Sequence, residues 1–325
     1  MSKSIIAKVE KGVNYFFHIQ AVAKINYDSK YAEKYKNSFC TDDIDYLRKN
    51  KDLFLFGDGN PFSTFTVLYL FLPSLLNLNN YKKINLYFDK LCLSLEEGRP
   101  SVFIEEYEEA INKVDKLHNS YKRVLKNNLN LIQANYLEEA YKVADVYKRN
   151  YKVYDEEVWS KEKVKLKNKA DKLNYKFNDI SIIESFEEIT GKVYKSNQFK
   201  VALCSANKNG PDANDLGYEK NVHFYDRTID DLVHIISHEI GVRILNSFKY
   251  NIDIKVENNH LMYDALESIA GFYNKRVLDT NSDKLFNNFR MIDIYENIYS
   301  KNPDISAEKL LKTGISQVQE KGNFI

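Results

Sequence analysis

The sequence predicts an α+β fold, mostly helical, with a small β-sheet beside one histidine-bearing helix in a zincin-like core. Three observations predict it. Apolar residues recur at three- and four-residue spacing through most of the first 150 positions, the period of helices with one buried face. The texture then changes at FKVALCS, residues 199–205, which alternates and is rich in β-formers. Finally, Thr228 followed by Asp231 forms a Thr-x-x-Asp capping arrangement at the head of LVHIISHEIGVRILNSF. At 325 residues and 44% hydrophobic, the chain can bury a large core, as one large domain or two medium ones.

Taken in order, residues 9–25, 81–95 and 102–121 read as amphipathic helices. The most apolar run, 62–78, is about seventeen residues long, carries hydroxyl residues and is broken by Pro73; it reads as a buried helix, short for a membrane span. GDGNP (57–61) is a turn, and EEGRP (96–100) closes the next helix. Residues 129–147 form a further helix with Glu138 and Glu139 placed to meet Lys142 on the wet side. The lysine-rich stretch 159–176 is a solvated helix or connector, and 180–189 a short helix closed by Gly191. NKNGPDAND (207–215) is a loop, NVHFYD (221–226) a second strand, and 260–277 the last helix of the site region. This divides the chain into a helical part, 1–155, and a core, 156–325.

The 47 basic and 46 acidic residues nearly cancel, to a net charge of +1, which gives no electrostatic reason to expect nucleic acid. Cys40, Cys92 and Cys204 are widely spaced and form no CxxC pair, against both a disulfide framework and a cysteine zinc site. Cys204, on a predicted strand, is a small core residue. The opening MSKSIIAKVEKG has no apolar signal region, so a cytoplasmic protein with no membrane partner is expected.

Histidine is scarce, with six in the chain. His234 and His238 are four apart, about 40° on a helix, so they share a face, and Glu239 follows directly. A His-Glu pair on a helix is how zinc peptidases set a ligand beside a general base, the metal lowering the pKa of its bound water to about 7. His234 reads first as a satisfied core residue. The His-Glu-x-x-His spacing is missing, since Val242 stands at that place and Arg243 follows.

The longer string IISHEIGVRIL, preceded by YDRTIDDL and followed by LESIAGFY, resembles one family. Its bacterial members are the flavohaemoglobin expression-modulating QEGLA-motif proteins, and its animal members the microtubule-associated tyrosine carboxypeptidases. Their site helix reads His-Glu-Ile/Val-Gly-x-His, and a later Gln-Glu-Gly-Leu-Ala supplies a further zinc ligand. Here His238-Glu239-Ile240-Gly241-Val242 matches the first motif, with Arg243 where the second His belongs, and Leu266-Glu267-Ser268-Ile269-Ala270 matches the second in its Glu and Ala. Asn60-Pro61-Phe62 echoes an Asn-Pro-x-Phe element of the family. The resemblance covers about residues 199–278. It implies zinc as cofactor, His238 and Glu267 as ligands, Glu239 as base, and a peptide or protein C-terminus as partner.

Arg243 breaks the pattern, because a guanidinium stays protonated and has no lone pair for a metal. Three readings stay open: a pseudoenzyme, a re-tasked site in which Arg243 pairs with Glu239 or Glu267 as an internal cation, or a change from an original His. His234, nine residues from Arg243 and on the opposite side of the helix, cannot take the lost ligand's place and would build a different geometry on an adjacent face; His260 is a looser candidate. Residues five apart diverge by about 140° on an ideal helix, so Gly241 either permits local widening or packs closely against a facing helix. Arg227 is a candidate for gripping a terminal carboxylate, and Tyr225, Tyr263 and Tyr273 lie near the site elements. The leading functional expectation is a carboxypeptidase-type hydrolase; the second is a silent member that binds a peptide or partner protein; the third is a scaffold working through its N-terminal helices. Arg243→His is expected to raise zinc affinity. Glu239→Gln is expected to leave the fold intact, severe destabilisation marking Glu239 as a structural partner of Arg243.

Overall fold

A computed structural model describes residues 3–26, 30–55, 65–115, 121–206, 213–250, 259–279 and 291–320. The turn at 57–61, the Asn60-Pro61-Phe62 element and most of the 207–215 loop lie outside these residues. The architecture is α+β, mostly helical, with a four-stranded mixed sheet in the order β1-β2-β4-β3. The strands are β1 (Ser4–Lys8), β2 (Gln198–Cys204), β3 (Ala213–Asp215) and β4 (Lys220–Phe224). β2 and β4 run parallel, with Lys200 opposite Lys220, and β3 is antiparallel to β4. β3 falls on residues expected as loop. Ala-Asn-Asp carries no strand pattern, and its pairing is decided by the tight reversal at Gly217 (φ 128°), where Leu216 N donates to Lys220 O at 3.0 Å.

The chain separates into two compact units whose segments alternate along the sequence. The first, here the sheet unit, comprises Ala7–Lys172 and Lys200–Arg227, and the second, the site unit, comprises Met1–Ile6, Leu173–Phe199 and Thr228–Ile325.

In the sheet unit the helices are α1 (Lys11–Val22), α2 (Lys30–Tyr35), α3 (Thr41–Lys49), α4 (Leu72–Leu75), α5 (Tyr81–Glu96), α6 (Pro100–Glu106), α7 (Glu108–Asp115), α8 (Tyr121–Asn135) and α9 (Leu137–Val153). α1 is buried on every side from Gly12 to Val22. Its Asn14 ties it to the end of β2, donating to Leu203 O at 2.9 Å and accepting from Ser205 N at 3.0 Å. Around α1 the core is aromatic: Phe16, Tyr69, Phe88 and Tyr147 pack ring on ring. Tyrosine is tolerated there because its hydroxyl finds a carbonyl, Tyr69 that of Ala140 at 2.9 Å and Tyr87 that of Leu68 at 2.7 Å. The apolar run is a buried π-helical turn, Val67–Phe71, leading into α4. Pro73 has no N–H to return to the preceding turn, which accounts for the wider turn just before it. No described helix is long and apolar enough to cross a membrane.

Two sequence expectations change here. The single helix at 129–147 is broken at Tyr136 (φ −138°, ψ 29°) into α8 and α9, at the end of an asparagine-rich stretch of low helix propensity. The lysine-rich stretch is α10 (Ser160–Asn178), and it is no mere solvated connector. Glu162, Leu166, Ala170, Leu173 and Phe177 are buried along one stripe, while the lysines face outward.

The site unit holds α11 (Ile182–Thr190), α12 (Ile229–Leu245), α13 (Asn259–Val277), α14 (Ile292–Lys301) and α15 (Ala307–Glu320). α13 is its central helix, packed against the other four. Gly191 closes α11 in the left-handed conformation (φ 66°), as expected of a glycine after the last turn.

Candidate functional site

α12 begins where the sequence says it should: the Thr228 hydroxyl accepts from Asp231 N at 3.1 Å. Asp230 and Asp231 in its first turn and Arg243 in its last both suit the helix dipole. From Leu232 to Leu245 only Glu239 and Val242 are more than marginally exposed. The helix is therefore buried nearly all round, and its polar groups must be satisfied by neighbouring helices.

α13 supplies two of those partners. His238 Nε2 lies 2.9 Å from Glu267 Oε2, so the imidazole and carboxylate singled out in the sequence converge. Asn274 Nδ2 donates to the His234 carbonyl at 3.0 Å. Asn274 was not singled out, although its seven-residue spacing from Glu267 places both on one face of α13. Two contacts then fix α12 and α13 antiparallel, since the partner of the earlier residue on one helix is the later residue on the other.

Arg243 is the largest fully buried side chain in the described protein. Its Nη1 donates to Glu239 Oε2 at 3.0 Å and to the Glu239 carbonyl at 2.8 Å, and its guanidinium lies 5.2 Å from the Phe199 ring centroid. A cation over an aromatic face with a carboxylate at its edge is a satisfied arrangement in low dielectric. The Arg243–Glu239 pairing named in one of the three readings is present.

Gly241 packs closely. A Cβ there would stand 2.6 Å from two ring carbons of Phe186 on α11. α12 is an unbroken α-helix, with no π-turn at the site. Gly241→Ala is expected to cost about 1–2 kcal/mol in chemical denaturation, overpacking outweighing the gain in helix propensity. Shortening Phe186 to Leu in the same chain should return part of that loss.

His234 is buried, and burial followed by the neighbouring His238 lowers its pKa. Tyr273 is a core residue against Phe272, and burial raises its hydroxyl pKa. Tyr263 and His260 are exposed. Arg227 and Tyr225 belong to the sheet unit, where the Arg227 carbonyl accepts from Lys169 Nζ at 2.6 Å. Cys204 is buried, as expected.

The described residues brought together do not by themselves complete a zinc site. One imidazole and one carboxylate supply two lone-pair donors where protein zinc sites use three or four. The third motif position holds a donor-only guanidinium, already bonded to the residue that would act as base. Among the described residues no group of three or more His, Cys, Asp or Glu side chains is placed to hold a metal. No family model matches the chain, and no curated protein or solved structure matches it.

Proposed function

We propose that this chain is a catalytically silent protein of metallopeptidase type that binds a peptide or protein C-terminus. The observation that carries this reading is the Arg243–Glu239 bond, 3.0 Å long, with the arginine side chain wholly buried. A general base needs an oxygen within reach of the proton it takes. Here the Glu239 carboxylate is committed to a permanent cation one turn away. The His238–Glu267 contact supports kinship with the HExxxH carboxypeptidases, because it joins the same two motif positions from two helices. The ligand class, a free C-terminus, comes from that resemblance.

Metal analysis and binding assays test the reading. The purified chain is expected to carry far less than one zinc per molecule and to leave C-terminal peptide bonds intact. It should bind a peptide with a free C-terminus more tightly than the amidated peptide. Arg243→His is expected to raise zinc affinity, and no gain would mean that position 243 is not equivalent to the family's second histidine. Stoichiometric zinc in the parent, lost in His238→Ala or Glu267→Ala, would overturn silence and restore a hydrolase.

A further inference from the structure

The sheet unit holds a second cluster of charged groups. A cavity of about 370 Å³ is lined by Lys8, Lys200 and Lys220 together. These lysines come from three adjacent strands: Lys200 stands opposite Lys220 in the β2–β4 pair, and β1, which carries Lys8, is the other neighbour of β2. Like charges placed opposite each other destabilise a sheet. Burial of Lys220 adds a desolvation cost, which lowers its pKa; Lys200 and Lys8 lower it further, while Glu10 raises it.

Only one of the three is compensated. Lys220 Nζ donates to Glu10, to Ser74 O at 3.2 Å and to Leu75 O at 3.5 Å. Among the described residues neither Lys8 nor Lys200 forms an ion pair. Two of the other lining carboxylates are already engaged, Glu106 with Lys90 and Glu109 with Lys113. Glu219 also lines the cavity, so three ammoniums stand against the Glu10 and Glu219 carboxylates, and Lys8 and Lys200 are the two of them outside an ion pair. Leu216, Tyr107 and Tyr218 give the lining an apolar and aromatic part.

We propose that this cavity binds a small phosphate monoester, its phosphate held by Lys8 and Lys200 beside the buried Lys220–Glu10 pair. A phosphate monoester carries close to two negative charges at neutral pH and several acceptor oxygens, so it can meet the Lys8 and Lys200 ammoniums together and outweigh the single Glu219 carboxylate. The volume lies within the range of small-molecule sites, and the organic part would rest against Tyr107, Tyr218 and Leu216.

Calorimetric titration of the full chain tests this, with glycerol 3-phosphate and ribose 5-phosphate as probes and glutarate as a dianion of another shape. Saturable binding of one phosphate ester per chain is expected, with Lys8→Met and Lys200→Met each weakening it about tenfold or more. Both variants should keep or exceed the parent's melting temperature, because neither ammonium forms an ion pair and each removes a like charge near Lys220. Glutarate binding as tightly as the esters would overturn the phosphate assignment. Binding of neither ester, or binding unchanged in both lysine variants, would overturn the site.

Discussion

Glu239→Ala is expected to destabilise the protein by about 3 kcal/mol, more than a surface carboxylate on a helix would cost. The Arg243 side chain has 0% exposure, so removing its carboxylate leaves a guanidinium that water reaches poorly. The Glu239 side chain is itself 21% exposed, which keeps the loss toward the lower end for a broken buried pair. Glu239→Gln keeps an oxygen for the Nη1 bond and loses only the charge; a loss of about 1–3 kcal/mol is expected. That is a larger effect than the intact fold expected for Glu239→Gln from the sequence, where pairing of Glu239 with Arg243 was one of three open readings. The double change Glu239→Ala with Arg243→Met should recover much of the single loss, since it removes the buried charge as well. Urea denaturation of the three variants measures this. A Glu239→Ala protein as stable as the parent would mean that Arg243 is satisfied without its carboxylate.

Acid is expected to unfold the sheet unit through His18. This histidine lies wholly buried on α1, its Nδ1 2.9 Å from the Tyr31 hydroxyl and its ring packed against Tyr35, Phe39 and Tyr154. Its Nε2 has no partner among the described residues. Burial lowers its pKa to about 3, against 6.5 unperturbed. The unfolded chain therefore binds a proton that the folded chain refuses in the window between those values. Stability from this group is fully present above about pH 6.5 and is lost as the pH falls toward 3, by several kcal/mol in all. His18→Phe keeps the ring contacts and removes the titration. Denaturant midpoints measured from pH 7 to pH 4 should fall less in that variant than in the parent. Parallel curves would show that His18 becomes protonated in the folded state without penalty.

Much of the site was legible because its signals are local. The Thr228 cap, the face shared by His234 and His238, and the Gly191 stop each depend on residues within one or two helical turns. The meeting of His238 with Glu267 was expected from the resemblance of two short strings, not from spacing, since 29 positions separate them. The break at Tyr136 and the strand at Ala213–Asp215 were missed for a common reason. Neither has a strong local pattern, and both are decided by what the segment packs or pairs against. The buried stripe of α10 was hidden by the lysines between its apolar positions.

The sequence by itself determined the α+β class and the start of the site helix, and its resemblance singled out His238 and Glu267. The tertiary structure alone decided which carboxylate Arg243 pairs with, why position 241 has no side chain, and that Lys8, Lys200 and Lys220 line one cavity. The physical reason is range. Caps and helical faces arise from backbone geometry over a few residues, whereas the partner of a buried charge is set by which distant elements exclude water around it.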